Sequence, residues 1–210
     1  MLELNRNLDV EVEEFHGSKI YYIHNFYQDP EEISEVLEVV KPQYFKSNQN
    51  GEYNGVHFHD MRHRIPCSNM GFVARVLKNL CGQKPFNDKQ ILTNCHKFEV
   101  SKFNDYKNNY WWPHTDTGYV ALIYFNKDDT ECGTNLYELL DETEIEVKKK
   151  NKEHDVPWRA KEKYKLLKHL PPVYNMCVLF DGLHFCHGMN IDNGRYFKEF
   201  RVNQFLQFGP

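Results

Sequence analysis

The chain has 210 residues, of which 40% are hydrophobic and 27% charged, and a formal net charge of −4. That length suits one hydrophobic core and one domain, and the acidic balance excludes a general attractive field for nucleic acid. The six cysteines form no CxxC pair, the first dozen residues lack the basic start and apolar run of a signal peptide, and no stretch approaches the roughly 20 apolar residues that span a bilayer. The chain therefore reads as a soluble, cytoplasmic protein with reduced thiols, monomeric or homodimeric.

Lys19–Phe26 (KIYYIHNF) reads as a strand, because aromatic and β-branched residues dominate it. Asp29 and Pro30 then open a helix: the carboxylate caps free N–H groups and proline suits the first helical position. Ile33, Val36, Leu37 and Val40 follow at helical spacing, and Pro42 ends the run. Lys46–Gly55 is polar and rich in Asn and Gly, as a loop or hairpin tip would be. Met70–Leu80 predicts a second helix, with Phe72, Val73, Val76, Leu77 and Leu80 on its apolar side and Gly82 as its stop. From there the pattern is β. Ile91–Phe103 is one long extended stretch or two short strands. Val120–Phe125, Asn135–Leu140, Tyr174–Phe180 and Phe200–Phe208 read as strands, and Asp192-Asn193-Gly194 as a turn. Glu142–Lys163 is charged and lysine-rich and reads as a solvated excursion. Two early helices and many short strands suggest helices packed on a closed or sandwiched sheet.

The chemistry begins at Trp111-Trp112-Pro113-His114-Thr115-Asp116. Side chains alternate along an extended chain, so His114 and Asp116 point the same way and can bind one metal ion. Such a pair is a weak signal alone, since the chain holds 11 histidines. A later histidine, His184 or His187, follows an apolar strand. Two imidazoles and one carboxylate form the facial triad of non-haem iron(II) sites, which leaves three coordination positions open. A bidentate 2-oxo acid can fill two of them and dioxygen the third.

The order of motifs resembles the prolyl-4-hydroxylase-like branch of the iron(II)/2-oxoglutarate dioxygenase superfamily. Tyr22–Leu37 resembles the family's opening aromatic strand and proline-led helix. Phe103 stands about eleven positions before the first ligand, where the family has an aromatic strand residue. His114-Thr115-Asp116 matches its HxD, and Tyr124-Phe125-Asn126 is close to its Tyr-Leu-Asn. Gly133-Thr134-Asn135-Leu136-Tyr137 resembles its Gly-Gly-x-Leu segment, with Thr134 replacing the second glycine. Val178-Leu179-Phe180-Asp181 resembles the strand before the distal histidine. The likeness covers most of the chain and is strongest from Phe98 to Phe208.

The resemblance implies a mainly β fold with flanking helices, a double-stranded β-helix of the jelly-roll or cupin kind. It implies a single domain over 1–210, with 1–90 supplying an N-terminal strand and support helices and 91–208 the core barrel. It implies iron(II), 2-oxoglutarate and dioxygen, with His114, Asp116 and His187 as catalytic metal ligands. His187 fits the family pattern through His-Gly-Met; His184 is the alternative, and would otherwise line the cleft. Asp116 argues for hydroxylation, because a halogenating relative has Ala or Gly there. The distal carboxylate of 2-oxoglutarate requires a rigid two-pronged donor. Arg201, on an alternating strand with Asn203 and Phe205, is the first candidate, and Arg195 in the preceding turn is the second. Asn203 stands where the family has Ser or Thr. Tyr124, ahead of Tyr110, is a further candidate contact to the cofactor, and one of Trp111 and Trp112 borders the site mouth. The implied reaction oxidises a C–H bond of a peptide, protein or small metabolite, releasing succinate and carbon dioxide, with nucleic acid disfavoured. Tyr44–Asn69, carrying His57 and His59, and Glu142–His169 would select the substrate. The rival readings are a cupin-like metalloenzyme that does not use 2-oxoglutarate and a non-catalytic binding or structural module.

Overall fold

Runs rich in aromatic and β-branched residues form thirteen strands among the described residues: β1 (Asp9–Phe15), β2 (Ser18–His24), β3 (Glu52–Tyr53), β4 (Val56–His63), β5 (Ile91–Phe98), β6 (Asn109–Trp111), β7 (Tyr119–Tyr124), β8 (Thr134–Leu139), β9 (Trp158–Ala160), β10 (Tyr164–Leu170), β11 (Cys177–Asp181), β12 (Cys186–Met189) and β13 (Arg201–Phe208). A helix, α1, spans Met70–Cys81. The computed structural model describes residues 2–35, 52–53, 56–63, 70–82, 91–98, 107–140, 158–191, 194–197 and 199–208; in 52–63 and 91–98, and at positions 70, 158 and 197, only the backbone is described.

The strands form three sheets, with the orders β1-β2-β11-β7-β13-β5-β4-β3, β10-β8-β12 and β6-β9. One face of the first sheet carries Tyr21, Ile23, Ile123, Leu179 and Leu206 and is covered by Val73 and Leu77 of α1 and by Ile33. Val73 and Leu77 are wholly buried, and each contributes roughly 1.5–3 kcal/mol relative to exposure. The opposite face carries Ile20, Val120, Leu122, Val178 and Phe180 and packs on Leu136 and Leu170 of the second sheet. The space between these two sheets positions the site.

This topology overturns the expected double-stranded β-helix, and with it the assignment to the iron(II)/2-oxoglutarate dioxygenase superfamily. Among the described residues the first sheet ends at β1 and β3, the second at β10 and β12, and no ladder joins them into a jelly-roll or cupin barrel. The architecture is mixed α/β with three open sheets. Alternating burial specifies which face of a strand is apolar; it does not specify which edges pair. The β1 edge carries Asp9, Glu11, Glu13 and Glu14, and charges of this kind discourage further strand pairing. In β10 the register shifts between Leu166 and Lys168, which bends the strand.

Other expectations meet the structure unevenly. β2, β5, β7, β8, β11 and β13 lie where the pattern places strands, and α1 stops at Gly82, whose φ of 70° suits glycine. Phe72 is 51% exposed and lies off the buried stripe of α1. The supposed selecting segment Glu142–His169 contributes β9 and most of β10 to the sheets. Its residues 142–157 lie outside the described residues, as do 36–42, Phe103 and the turn residues 192–193. The backbone becomes helical at 32–35, two residues after Pro30. Cys81, Cys132, Cys177 and Cys186 form no disulfide with one another, and burial pushes the Cys177 thiol well up.

A polar clasp ties the first two sheets together. Lys168 Nζ of β10 lies 2.8 Å from Glu13 Oε1 of β1, and the Tyr22 hydroxyl donates to Glu13 Oε2 at 3.0 Å. The Lys168 hydrogen bond is the largest influence on Glu13 and, against the cost of burial, holds its carboxyl below the usual range. A carboxyl depressed on folding contributes stability above its unfolded pKa and loses it as pH falls through the folded value. Glu13→Gln is therefore expected to be less stable than the native chain at neutral pH, with the gap closing below about pH 4.5. Urea unfolding between pH 3 and 7 measures this; a gap that does not change with pH would show that the clasp contributes nothing.

Candidate metal centre

Beyond β6 the chain enters a left-handed residue, Trp112, with φ of 46°. Pro113 follows and brings no N–H for strand pairing. The chain then bridges to β12. His114 N–H donates to the His187 carbonyl at 2.9 Å, and His187 N–H donates back at 2.8 Å. Two residues on, Asp116 N–H donates to the Gly182 carbonyl at 2.9 Å, and Gly182 N–H donates to the Gly118 carbonyl at 2.8 Å. A Cβ on Gly182 would lie 2.7 Å from Val120 Cγ2 and 2.9 Å from Gly118 O. Glycine thus lets the turn after β11 lie flat against the segment that carries His114 and Asp116.

The bridge brings His114, Asp116 and His187 together, with their ligand atoms all within 4.8 Å of one another. His187 Nε2 is 3.4 Å and His114 Nε2 3.7 Å from Asp116 Oδ2. His187 is buried, its ring edge-on to Phe180 at 5.0 Å between centroids; His114 and Asp116 are half-buried. His114 Nδ1 stands 2.7 Å from the Trp112 carbonyl and His187 Nδ1 3.0 Å from the Phe185 carbonyl. A carbonyl only accepts, so each Nδ1 carries a proton, and each Nε2 faces the cluster, where it donates to Asp116 when protonated or offers its lone pair to a metal ion when not. Burial opposes charge on Asp116, yet the His187 hydrogen bond and the two imidazoles outweigh it and hold the carboxyl below its usual range. A proton on Nε2 and a metal ion compete for the same lone pair. Two imidazole nitrogens and a carboxylate form a potential metal-binding site of the metalloenzyme kind.

No protein-family model matches the chain, and no curated protein matches it. The site is read from its own chemistry.

His184 lies outside the cluster. It is exposed, with Nε2 2.9 Å from the His16 carbonyl and its ring against Phe185. Arg201 is buried, only 4% exposed. Its Nε donates to the Cys132 carbonyl at 3.1 Å, Nη1 to Asn203 Oδ1 at 3.0 Å and Nη2 to the Gly133 carbonyl at 3.2 Å. Its guanidinium carbon stands 5.5 Å from the Tyr124 ring centroid. The Tyr124 hydroxyl donates to Thr134 Oγ1 at 2.9 Å, and burial pushes this phenol up although Arg201 pulls it back. Arg195, by contrast, pairs with Glu199 and donates to the Lys127 carbonyl at 2.9 Å near the surface. Tyr110 packs on Tyr137 at 4.5 Å under the Lys161 ammonium, on the far side of the second sheet. Trp111 is buried beside Cys132, Ile191 and Tyr196, with Trp112 partly buried against that group.

Sequence reasoning passed over the Trp112 and Phe185 carbonyls, Gly182 and the hydroxyl of Thr134. Backbone acceptors leave no mark in a sequence. The Asp181-Gly182 pair is a turn signal, but its approach to Asp116 depends on tertiary packing.

His187→Ala and Asp116→Ala are each expected to weaken manganese(II) binding by at least roughly tenfold, and His184→Ala to leave it nearly unchanged. Paramagnetic resonance titration of free manganese checks this. Loss of binding in His184→Ala with retention in His187→Ala would reassign the ligand.

Proposed function

We propose that the protein is an iron(II)- and 2-oxoglutarate-dependent oxygenase that hydroxylates a C–H bond. The reading stands on the chemistry of the site and not on membership of a fold family. Arg201 carries it. This cation is buried, and its hydrogen bonds run to two carbonyls and an amide oxygen, with no carboxylate paired to it among the described residues. A buried charge without a counter-ion costs several kcal/mol. Three of the five guanidinium N–H groups are engaged, leaving one on each Nη, a fork matched to a ligand carboxylate.

The spacing supports a five-carbon dicarboxylate. The guanidinium reaches the Gly133 carbonyl beside Thr134, while His187 pairs with Leu136 on the same strand. Two residues of strand span about 7 Å. A five-carbon dicarboxylate, bound to the metal at one end and hydrogen-bonded to the guanidinium at the other, would bridge a span of that order. The donor set also fits iron(II), because two imidazoles and one carboxylate leave room for a chelating 2-oxo acid and dioxygen.

When bound, iron(II) with 2-oxoglutarate and dioxygen supplies oxidation of a C–H bond, with 2-oxoglutarate leaving as succinate and carbon dioxide. The chain does the rest. His114, Asp116 and His187 hold the metal, and Arg201, aligned by Asn203, holds the far carboxylate. Tyr124 and Thr134 bring hydroxyls to the intervening wall. Leu122, Leu136, Val178 and Phe180 make the surrounding walls apolar, which excludes water and strengthens the charged contacts. A peptide or small polar metabolite is the substrate in this reading, in keeping with a net charge of −4.

Titration calorimetry of 2-oxoglutarate into the manganese form tests the assignment. Arg201→Ala is expected to weaken binding by roughly 2–4 kcal/mol, and Arg195→Ala to have little effect. The native protein with iron(II) and oxygen is expected to release succinate. Tight metal binding with no 2-oxoglutarate binding would place the site in another class of metalloenzyme.

A further inference from the structure

We propose that Trp112 is a positioning residue whose left-handed backbone, rather than its indole, selects the nitrogen that His114 presents to the cluster; its consequence for metal binding rests on the reading above. Among the described residues five non-glycines have positive φ: His16, Asn25, Trp112, Asp128 and Asn175. Asn, Asp and His tolerate this region, whereas a bulky side chain there is an outlier. The following Pro113 narrows the choice of conformation further. Strain of this kind persists only where the surroundings impose it.

The surroundings are identifiable. A Cβ on Gly188 would lie 2.4 Å from Trp111 O and 3.3 Å from both Trp112 C and Pro113 N. The β12 backbone therefore runs flush against 111–113, and the bridge at His114 and His187 holds it there. The Trp112 carbonyl ends 2.7 Å from His114 Nδ1. His187 makes the same contact two residues back, at 3.0 Å to the Phe185 carbonyl, yet Phe185 is absent from the positive-φ residues. The contact alone does not demand a left-handed residue; on the His114 side the turn is what lets the chain reach it while lying flush against Gly188. The turn aims a carbonyl at Nδ1, which favours the proton there, and leaves Nε2 facing Asp116 and His187.

Substitutions that remove the indole but differ in backbone preference separate the two roles. Trp112→Gly and Trp112→Asn accept the left-handed region, and Trp112→Val resists it. Nitrogen-15 NMR of the metal-free protein above pH 8, with His114 assigned from its loss in His114→Gln, reads the tautomer directly. The Gly and Asn variants are expected to keep the Nδ1–H form and to bind manganese(II) within about threefold of the native chain. Trp112→Val is expected to show mixed tautomers and at least roughly tenfold weaker binding. Should it fail to fold, Trp112→Ala is expected to shift the tautomer in the same direction. Equal loss in all variants would assign the role to the indole, and equal retention would remove any positioning role; either overturns the proposal. If the native chain binds no manganese, the functional reading fails, while the tautomer comparison still decides the role of Trp112.

Discussion

The antiparallel bridge between His114 and His187 is the constraint on which the site depends. Its two backbone hydrogen bonds, at 2.9 and 2.8 Å, set the two imidazoles side by side with centroids 4.6 Å apart. Backbone pairing places a side chain more tightly than a surface loop can, because Cα positions and side-chain directions follow from the ladder. Asp116 then joins by simple alternation from His114. The neighbouring glycines serve the same end, since side chains at Gly182 or Gly188 would force apart the backbones that carry the cluster.

Burial between the sheets follows two rules at once. Ile20, Val120, Leu122, Val178 and Phe180 make the walls apolar. Among them the Tyr124 hydroxyl donates to Thr134 Oγ1, and the Arg201 guanidinium lies 5.5 Å from the Tyr124 ring centroid. Strand β13 shows how the two are kept apart. Val202, Leu206 and Phe208 face the helix-covered core, while Arg201 and Asn203 are joined by a hydrogen bond of 3.0 Å on the opposite face. The helix-side core has its own polar member, Gln204, whose Oε1 accepts from the Tyr27 hydroxyl at 2.5 Å. Gln204 has a tyrosine partner inside the protein. Arg201 is held by amide and carbonyl oxygens, with no carboxylate in salt-bridge contact among the described residues.

The periodic parts of the chain were legible. Val120–Phe125 and Phe200–Phe208 alternate or run apolar and are strands; Val73 and Leu77 fall on the buried stripe of a helix. Alternation also placed His114 with Asp116 and Arg201 with Asn203. Seven strands, β1, β3, β4, β6, β9, β10 and β12, were not legible, and two of them show why. β1 reads as acidic and exposed because it is a sheet edge, and β10 (YKLLKHL) reads as solvated because its lysines line an edge and a bulge interrupts its period. Sheet closure was misread for a deeper reason. Motif order carries information about which side chains can meet at a site, and edge pairing is decided by long-range register that no local pattern records.

The open architecture and the compact site are compatible because the chemistry makes narrow demands. The cluster requires one close approach of two backbones and one turn that brings a carboxylate beside them. Both demands are met without any ladder joining the first sheet to the second among the described residues. What closes the gap on the β1 side is the clasp of Glu13, Lys168 and Tyr22, a side-chain contact in place of strand pairing. Such contacts are weaker and more local than a ladder, and they leave the edge free to part. The ligand-bearing backbones are thus joined by backbone hydrogen bonds, and the β1 edge is joined to the second sheet by side chains.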